Sequence, residues 1–116
     1  MMMIVLSSHR KVWHFLATEH GLKTWPRHFQ AIWVGEKAFE FRYDDRHYKV
    51  GDILYLKEWV PQLTYNENHE GYYTGREIKA LVTYKLGMDE EQPEFVPDDW
   101  VIMSIKAFWY GVDGHD

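Results

Sequence analysis

Four of the charged side chains within residues 37–46 could do chemistry together: Lys37, Glu40, Arg42 and Arg46. Lys37 beside Glu40 is a candidate proton-transfer pair, because burial favours the neutral amine of a lysine. Arginines at 42 and 46 could meet a phosphate or a base edge, and Glu40 could accept from a base amino group. The plainer alternative is a half-exposed strand carrying a cross-paired ion network, where each pair is worth only ~0–1 kcal/mol.

The surrounding elements decide how those groups can be held. Phe39 and Phe41 alternate with Glu40 and Arg42, so an extended strand puts aromatics on one face and charges on the other. The expectation is that the charged face is the wet one. Upstream, residues 19–23 read as a short strand. Thr24-Trp25-Pro26 then opens a helix, since proline suits the first helical position. Trp25, Phe29, Ile32 and Trp33 give that helix one apolar stripe, Gly35 ends it in the left-handed region, and the motif strand is expected to begin directly after it. Trp25 is either a hydrophobic staple against Phe29 or a wall on which a base could stack.

Downstream, residues 43–47 and 50–52 are turn-rich, and Ile53 to Trp59 reads as a strand. Residues 60–75 form a long polar loop ending at Tyr72-Tyr73-Thr74-Gly75-Arg76. That end is either an ordered entry into a strand or a contribution of Tyr73 and Arg76 to an anion or base pocket. Residues 78–86 alternate cleanly as a strand. An acidic loop spans 87–99, Trp100 to Trp109 is a final strand, and Tyr110 to Asp116 is expected to fray. Met2 to Leu6 could be a strand, and residues 12–16 a strand or a helical turn. With five or six strands and one clear helix, the pattern predicts an α+β domain built on a curled sheet or small barrel.

The chain has 116 residues, enough for one domain, with 46% hydrophobic and 17% aromatic residues. It has no cysteine, which excludes disulfides and thiolate metal sites and fits a reducing compartment. No apolar run approaches the ~20 residues of a membrane helix, so a cytoplasmic protein without a membrane partner is expected. Formal net charge is −5. Residues 87–116 hold eight acidic groups and one basic group, a net of −7, which leaves +2 on residues 1–86. Such a balance does not suit nonspecific gripping of duplex backbone, so any nucleic-acid role must rest on a local pocket. The acidic loop could instead be a protein-contact surface.

The standard phosphate-loop, dinucleotide, zinc-protease and serine-hydrolase signatures are absent. Seven histidines show no ligand spacing, so neither a metal nor another cofactor is expected.

Gly35-x-Lys37-x-x-Glu40-x-Arg42 resembles the signature of ASCH domains in the PUA-like superfamily. Three further runs fit the same resemblance: Glu19-His20-x-Leu22-Lys23-x-Trp25-Pro26, then Asp45-Arg46-x-Tyr48-x-Val50-Gly51-Asp52-x-Leu54-x-Leu56-x-Glu58, then Tyr73-Thr74-Gly75-Arg76. The ordered set resembles a bacterial and phage branch catalogued as a domain of unknown function. It covers roughly residues 19–108 and leaves residues 1–18 as an extension before a domain of residues 19–116. The resemblance implies a β-barrel of about five or six strands with flanking helices, a cleft beside it, and recognition of RNA or a modified nucleotide. It carries Lys37, Glu40 and Arg42 to that cleft, with Lys23 and Arg46 as neighbours. Some ASCH-like proteins are small amidohydrolases acting on acylated cytidine. On that alternative Lys37 and Glu40 would be catalytic, although those enzymes have a threonine where this chain has Glu40.

Overall fold

The computed structural model describes residues 17–88 and 92–112. The expectations for residues 2–6 and 12–16 lie outside them. Six elements follow in order: β1 (Glu19–Thr24), α1 (Pro26–Trp33), β2 (Phe39–Tyr43), β3 (Ile53–Val60), β4 (Tyr72–Leu86) and β5 (Trp100–Val112). The five strands form one sheet in the order β1-β3-β4-β5-β2. β1 runs parallel to β3, and every other pairing is antiparallel. The expected α+β class is corrected. The described residues are mostly β, with one short helix, and the sheet curls as a half-barrel.

Alternation builds the core. His20, Leu22 and Thr24 of β1 turn inward, as do Leu54, Leu56 and Glu58 of β3. Ile78, Ala80 and Val82 of β4 and Val101, Met103 and Ile105 of β5 complete the lining. Helix α1 closes it with Phe29 and Ile32, both buried, which contribute ~1.5–3 kcal/mol each by leaving water. Pro26 stands at the helix start as expected. The stop is also as the sequence implies. Gly35 has φ +86°, and its N–H donates to Ile32 O at 3.1 Å.

Three boundaries differ from the sequence reading. β4 begins at Tyr72, so the polar loop is residues 61–71 rather than 60–75. β5 continues through Val112, because Ile78, Glu77 and Arg76 of β4 pair with Tyr110, Gly111 and Val112. The expected fraying from Tyr110 therefore does not hold for Tyr110–Val112. The strand of the central motif begins at Phe39, since residues 35–37 still turn off the helix end.

The largest correction concerns the faces of β2. Phe39 and Phe41 are 47% and 46% exposed, whereas Glu40 is only 3% exposed. The charged face, expected outward, is the inner one. Register explains why. Glu40 lies opposite Met103 and Arg42 opposite Val101, two core residues of β5. Side chains directly opposite across an antiparallel pair share a face.

Candidate functional site

β1 and β2 are the two edges of the curled sheet, and a cleft of about 1010 Å³ lies where they approach each other. Arg42 spans the gap. Its Nη2 donates to Lys23 O at 3.0 Å and to Thr24 Oγ1 at 3.2 Å, both on β1. Arg46, from the loop after β2, donates from Nη1 to Gly21 O at 3.1 Å. Gly21 and Lys23 are alternate residues of a strand at the edge of the described sheet, whose outward carbonyls meet no further strand among the described residues. The two guanidinium groups stand in for that missing strand and fix the seam.

Glu40 forms the floor. Its Oε1 accepts from Arg42 Nε at 2.6 Å, a short charge-assisted bond. Its Oε2 is buried and has no hydrogen-bond partner among the described residues. Lys37 Nζ lies 3.8 Å from Oε2, beyond hydrogen-bonding distance. The helix end positions that lysine, for the Glu36 and Lys37 N–H groups both donate to Ala31 O, at 2.8 and 3.1 Å. Lys37 Nζ also lies 3.3 Å from His28 Nδ1 on α1. Burial and the Lys37 charge hold the His28 pKa below 6.5, so its ring is neutral at pH 7 and Nδ1 can accept from the ammonium.

Tyr48 lies on the cleft wall, and burial raises the pKa of its phenol. Trp25 is half exposed on the same wall, and Phe29 pairs instead with Trp33 at 5.6 Å. Trp25 is thus left open to the cleft. Cleft-lining residues include four cations (Lys23, Lys37, Arg42, Arg46) and two carboxylates (Glu40, Asp45), a positive balance in a chain of net charge −5. A local excess of cations draws anions toward a cleft.

Seven of the eight residues expected at a site line this cleft: Lys23, Trp25, Lys37, Glu40, Arg42, Arg46 and Tyr73. Arg76 is the exception. Its guanidinium grips Glu58 through Nε at 3.0 Å and Nη2 at 3.1 Å, bonds Gln30 on α1 at 3.0 Å, and lies over the Phe29 and Trp33 rings. A bulge in β4 makes this possible. Lys57 pairs with Glu77 and Trp59 with Tyr73, so residues 74–76 all face the single position Glu58. Gly75 supplies the turn at φ +99°, and Thr74 donates to Glu58 at 2.6 Å. Arg76 ties the helix to the sheet rather than facing the cleft.

The sequence reading missed four contributors. Thr24 and His28 carried no signal beyond their neighbours in the motif. His20 and Asp52 form a buried pair at 2.9 Å, with Asp52 also accepting from Thr18 N and Lys49 N. The His20 ring meets Tyr48 edge-on at 4.9 Å. That cluster seats the loop carrying Arg46 and Tyr48. Among the described residues no group of histidines and acids is placed to hold a metal ion. No helix among them is long and apolar enough to cross a membrane.

Residues 19–105 match the family model described as Domain of unknown function (DUF3850), and the chain belongs to that family. It is also similar to an uncharacterized 12.9 kDa protein in the GpA 3′ region of Escherichia phage P2, with 37% identity over 81 residues. The match spans 70% of this chain and 66% of the phage protein.

Proposed function

We propose that this member of the family is an ASCH-like, PUA-like binding module that takes a nucleotide, modified or within single-stranded RNA, in the cleft between β1 and β2. One observation carries the reading. Glu40 Oε2 is buried, ionisable and without a hydrogen-bond partner among the described residues, at a cleft otherwise rich in cations and aromatics. A buried acceptor left unmet costs ~1–3 kcal/mol, a cost that a ligand donor removes. An exocyclic base amino group is such a donor. Trp25 supplies a face for stacking, and Lys37 and Arg46 stand where a phosphate needs cations. The resemblance of the Gly35–Arg42 motif to ASCH domains supports the same ligand class.

The test is a thermal-shift screen against nucleosides, modified nucleosides, nucleotides and short single-stranded RNA. A ligand at 100 times its Kd stabilises the fold by about 2.7 kcal/mol. A hit that disappears in Lys37→Ala supports the reading, and silence across the panel overturns it.

A second reading rests on the Lys37 geometry. Its ammonium lies between Glu40 Oε2 and the His28 Nδ1 acceptor. A proton relay of that kind suits hydrolysis of an acylated nucleoside amine, in which water adds to the acyl carbon and the amine leaves with a proton. Release of a carboxylic acid from a panel of acylated nucleosides, lost in Lys37→Ala, would establish it. No release at high protein concentration removes it.

A further inference from the structure

The cleft does not stop at the inner face of the sheet. Phe39, Glu40, Phe41, Arg42 and Tyr43 all line it, although successive strand residues point to opposite faces. The cleft therefore wraps around the edge of β2, which no further strand covers among the described residues. On its outer side the Phe41 ring lies 5.0 Å from Trp100 at 36°, and Tyr43 meets Trp100 at 6.0 Å, nearly edge-on. Phe41 and Tyr43 are each about half exposed. Three adjacent aromatics are thus left partly uncovered at the rim of a positive cleft. Their placement leaves core packing to the opposite face of the same strand.

From this we infer a second subsite. The Phe41–Tyr43–Trp100 platform stacks the base of the nucleotide next to the one held at Glu40, so that a single strand bends over the β2 edge. The inference rests on the nucleotide reading above and deepens it from a mononucleotide pocket to a two-base site. Three features favour a nucleic-acid strand as the occupant. The cleft volume lies at the upper limit of ordinary small-ligand pockets, larger than one base requires. Arg46 stands at this same cleft with its side chain 43% exposed, available to an intervening phosphate. Aromatic faces accept any base, which suits an outer, sequence-tolerant position beside an inner, hydrogen-bonding one.

The experiment compares equilibrium titrations of the purified full chain with a nucleoside 5′-monophosphate and with the corresponding dinucleotide and trinucleotide, at one salt concentration. Stacking of one base predicts that the dinucleotide binds roughly ten- to a hundredfold more tightly than the mononucleotide. Phe41→Ala then brings the dinucleotide down to mononucleotide affinity and leaves the mononucleotide unchanged. Phe41→Tyr, which keeps a ring, retains the gain and controls for a folding defect. Equal affinities for mono- and dinucleotide, or a gain that survives Phe41→Ala, overturn the platform while leaving the inner pocket standing. Failure of every nucleotide to bind removes both. Displacement of bound dinucleotide by an unrelated extended peptide pairing on the β2 edge would also overturn the assignment.

Discussion

Replacing Arg42 by Met should destabilise the domain far more than its partly solvated surface position suggests. Three bonds disappear at once, to Glu40 Oε1, Lys23 O and Thr24 Oγ1. The first matters most. Glu40 is 3% exposed, its other oxygen has no hydrogen bond among the described residues, and Lys37 lies 3.8 Å away. Removing one partner of a buried ion pair costs ~3–5 kcal/mol. The Arg42 side chain is 24% exposed and Lys37 stays in place, so a smaller loss than for a fully buried pair, ~2–4 kcal/mol, is expected. Substituting both members with apolar side chains of similar length should recover most of the loss, because no charge is then left buried beside Met103. The assay is urea unfolding of the wild type, Arg42→Met, Glu40→Met and the double variant, read as a double-mutant cycle. A coupling of ~2 kcal/mol or more is expected. A coupling below ~0.5 kcal/mol would refute the reasoning, since Arg42 would then be no more than a surface charge. The double variant adds a second readout. If it is as stable as the wild type yet binds no nucleotide, the carboxylate is kept for ligand recognition and not for the fold.

Other outcomes follow from the same structure. Burial alone would raise the pKa of Glu58, but the hydrogen bonds from Arg76 and Thr74 and the Arg76 charge outweigh it and hold the carboxyl below its ordinary 4.5. A depressed folded pKa gives stability that is complete above the unfolded value and is lost as pH falls through the folded one. Arg76→Met should therefore lower the urea midpoint at pH 7, and its deficit should narrow below about pH 4; a deficit independent of pH would contradict this. Gly71 has φ +108°, and a Cβ there would overlap the Trp59 ring, so Gly71→Ala should cost ~1–3 kcal/mol or more in chemical denaturation. His20→Phe leaves the Asp52 carboxylate without its side-chain partner and should lower stability by ~1–3 kcal/mol, with faster amide exchange at Lys49.

Much of the frame was legible because local rules and the fold agree. Pro26 and Gly35 bracket the helix, and alternation marks β1, β3 and the middle of β4. The polarity of β2 was not legible, because the apolar-inward rule presumes that the inner face is core. Here the inner face of an edge strand is the floor of a cleft, so Glu40 and Arg42 go in and Phe39 and Phe41 go out. The start of β4 and the end of β5 are set by each other, through pairs such as Arg76 with Val112, and neither segment alternates well enough to announce itself. Arg76 was expected at the site because it stands close to Tyr73 in sequence. The bulge at 74–76 sends it instead to Glu58. The His20–Asp52 pair joins positions 32 apart, and only the parallel register of β1 on β3 brings them together. Of the expected site, the residues carried by the motif arrive at one cleft because a helix end, an edge strand and a short loop all open onto the same seam.

The most direct measurement is calorimetric titration of wild type and Glu40→Gln with a panel of nucleoside monophosphates at near-physiological salt. The nucleotide reading predicts that at least one amino-bearing base binds the wild type, and that Glu40→Gln weakens it tenfold or more, about 1.4 kcal/mol, without loss of the folded state. Binding that is indifferent to Glu40→Gln, or no binding by any base, would contradict it.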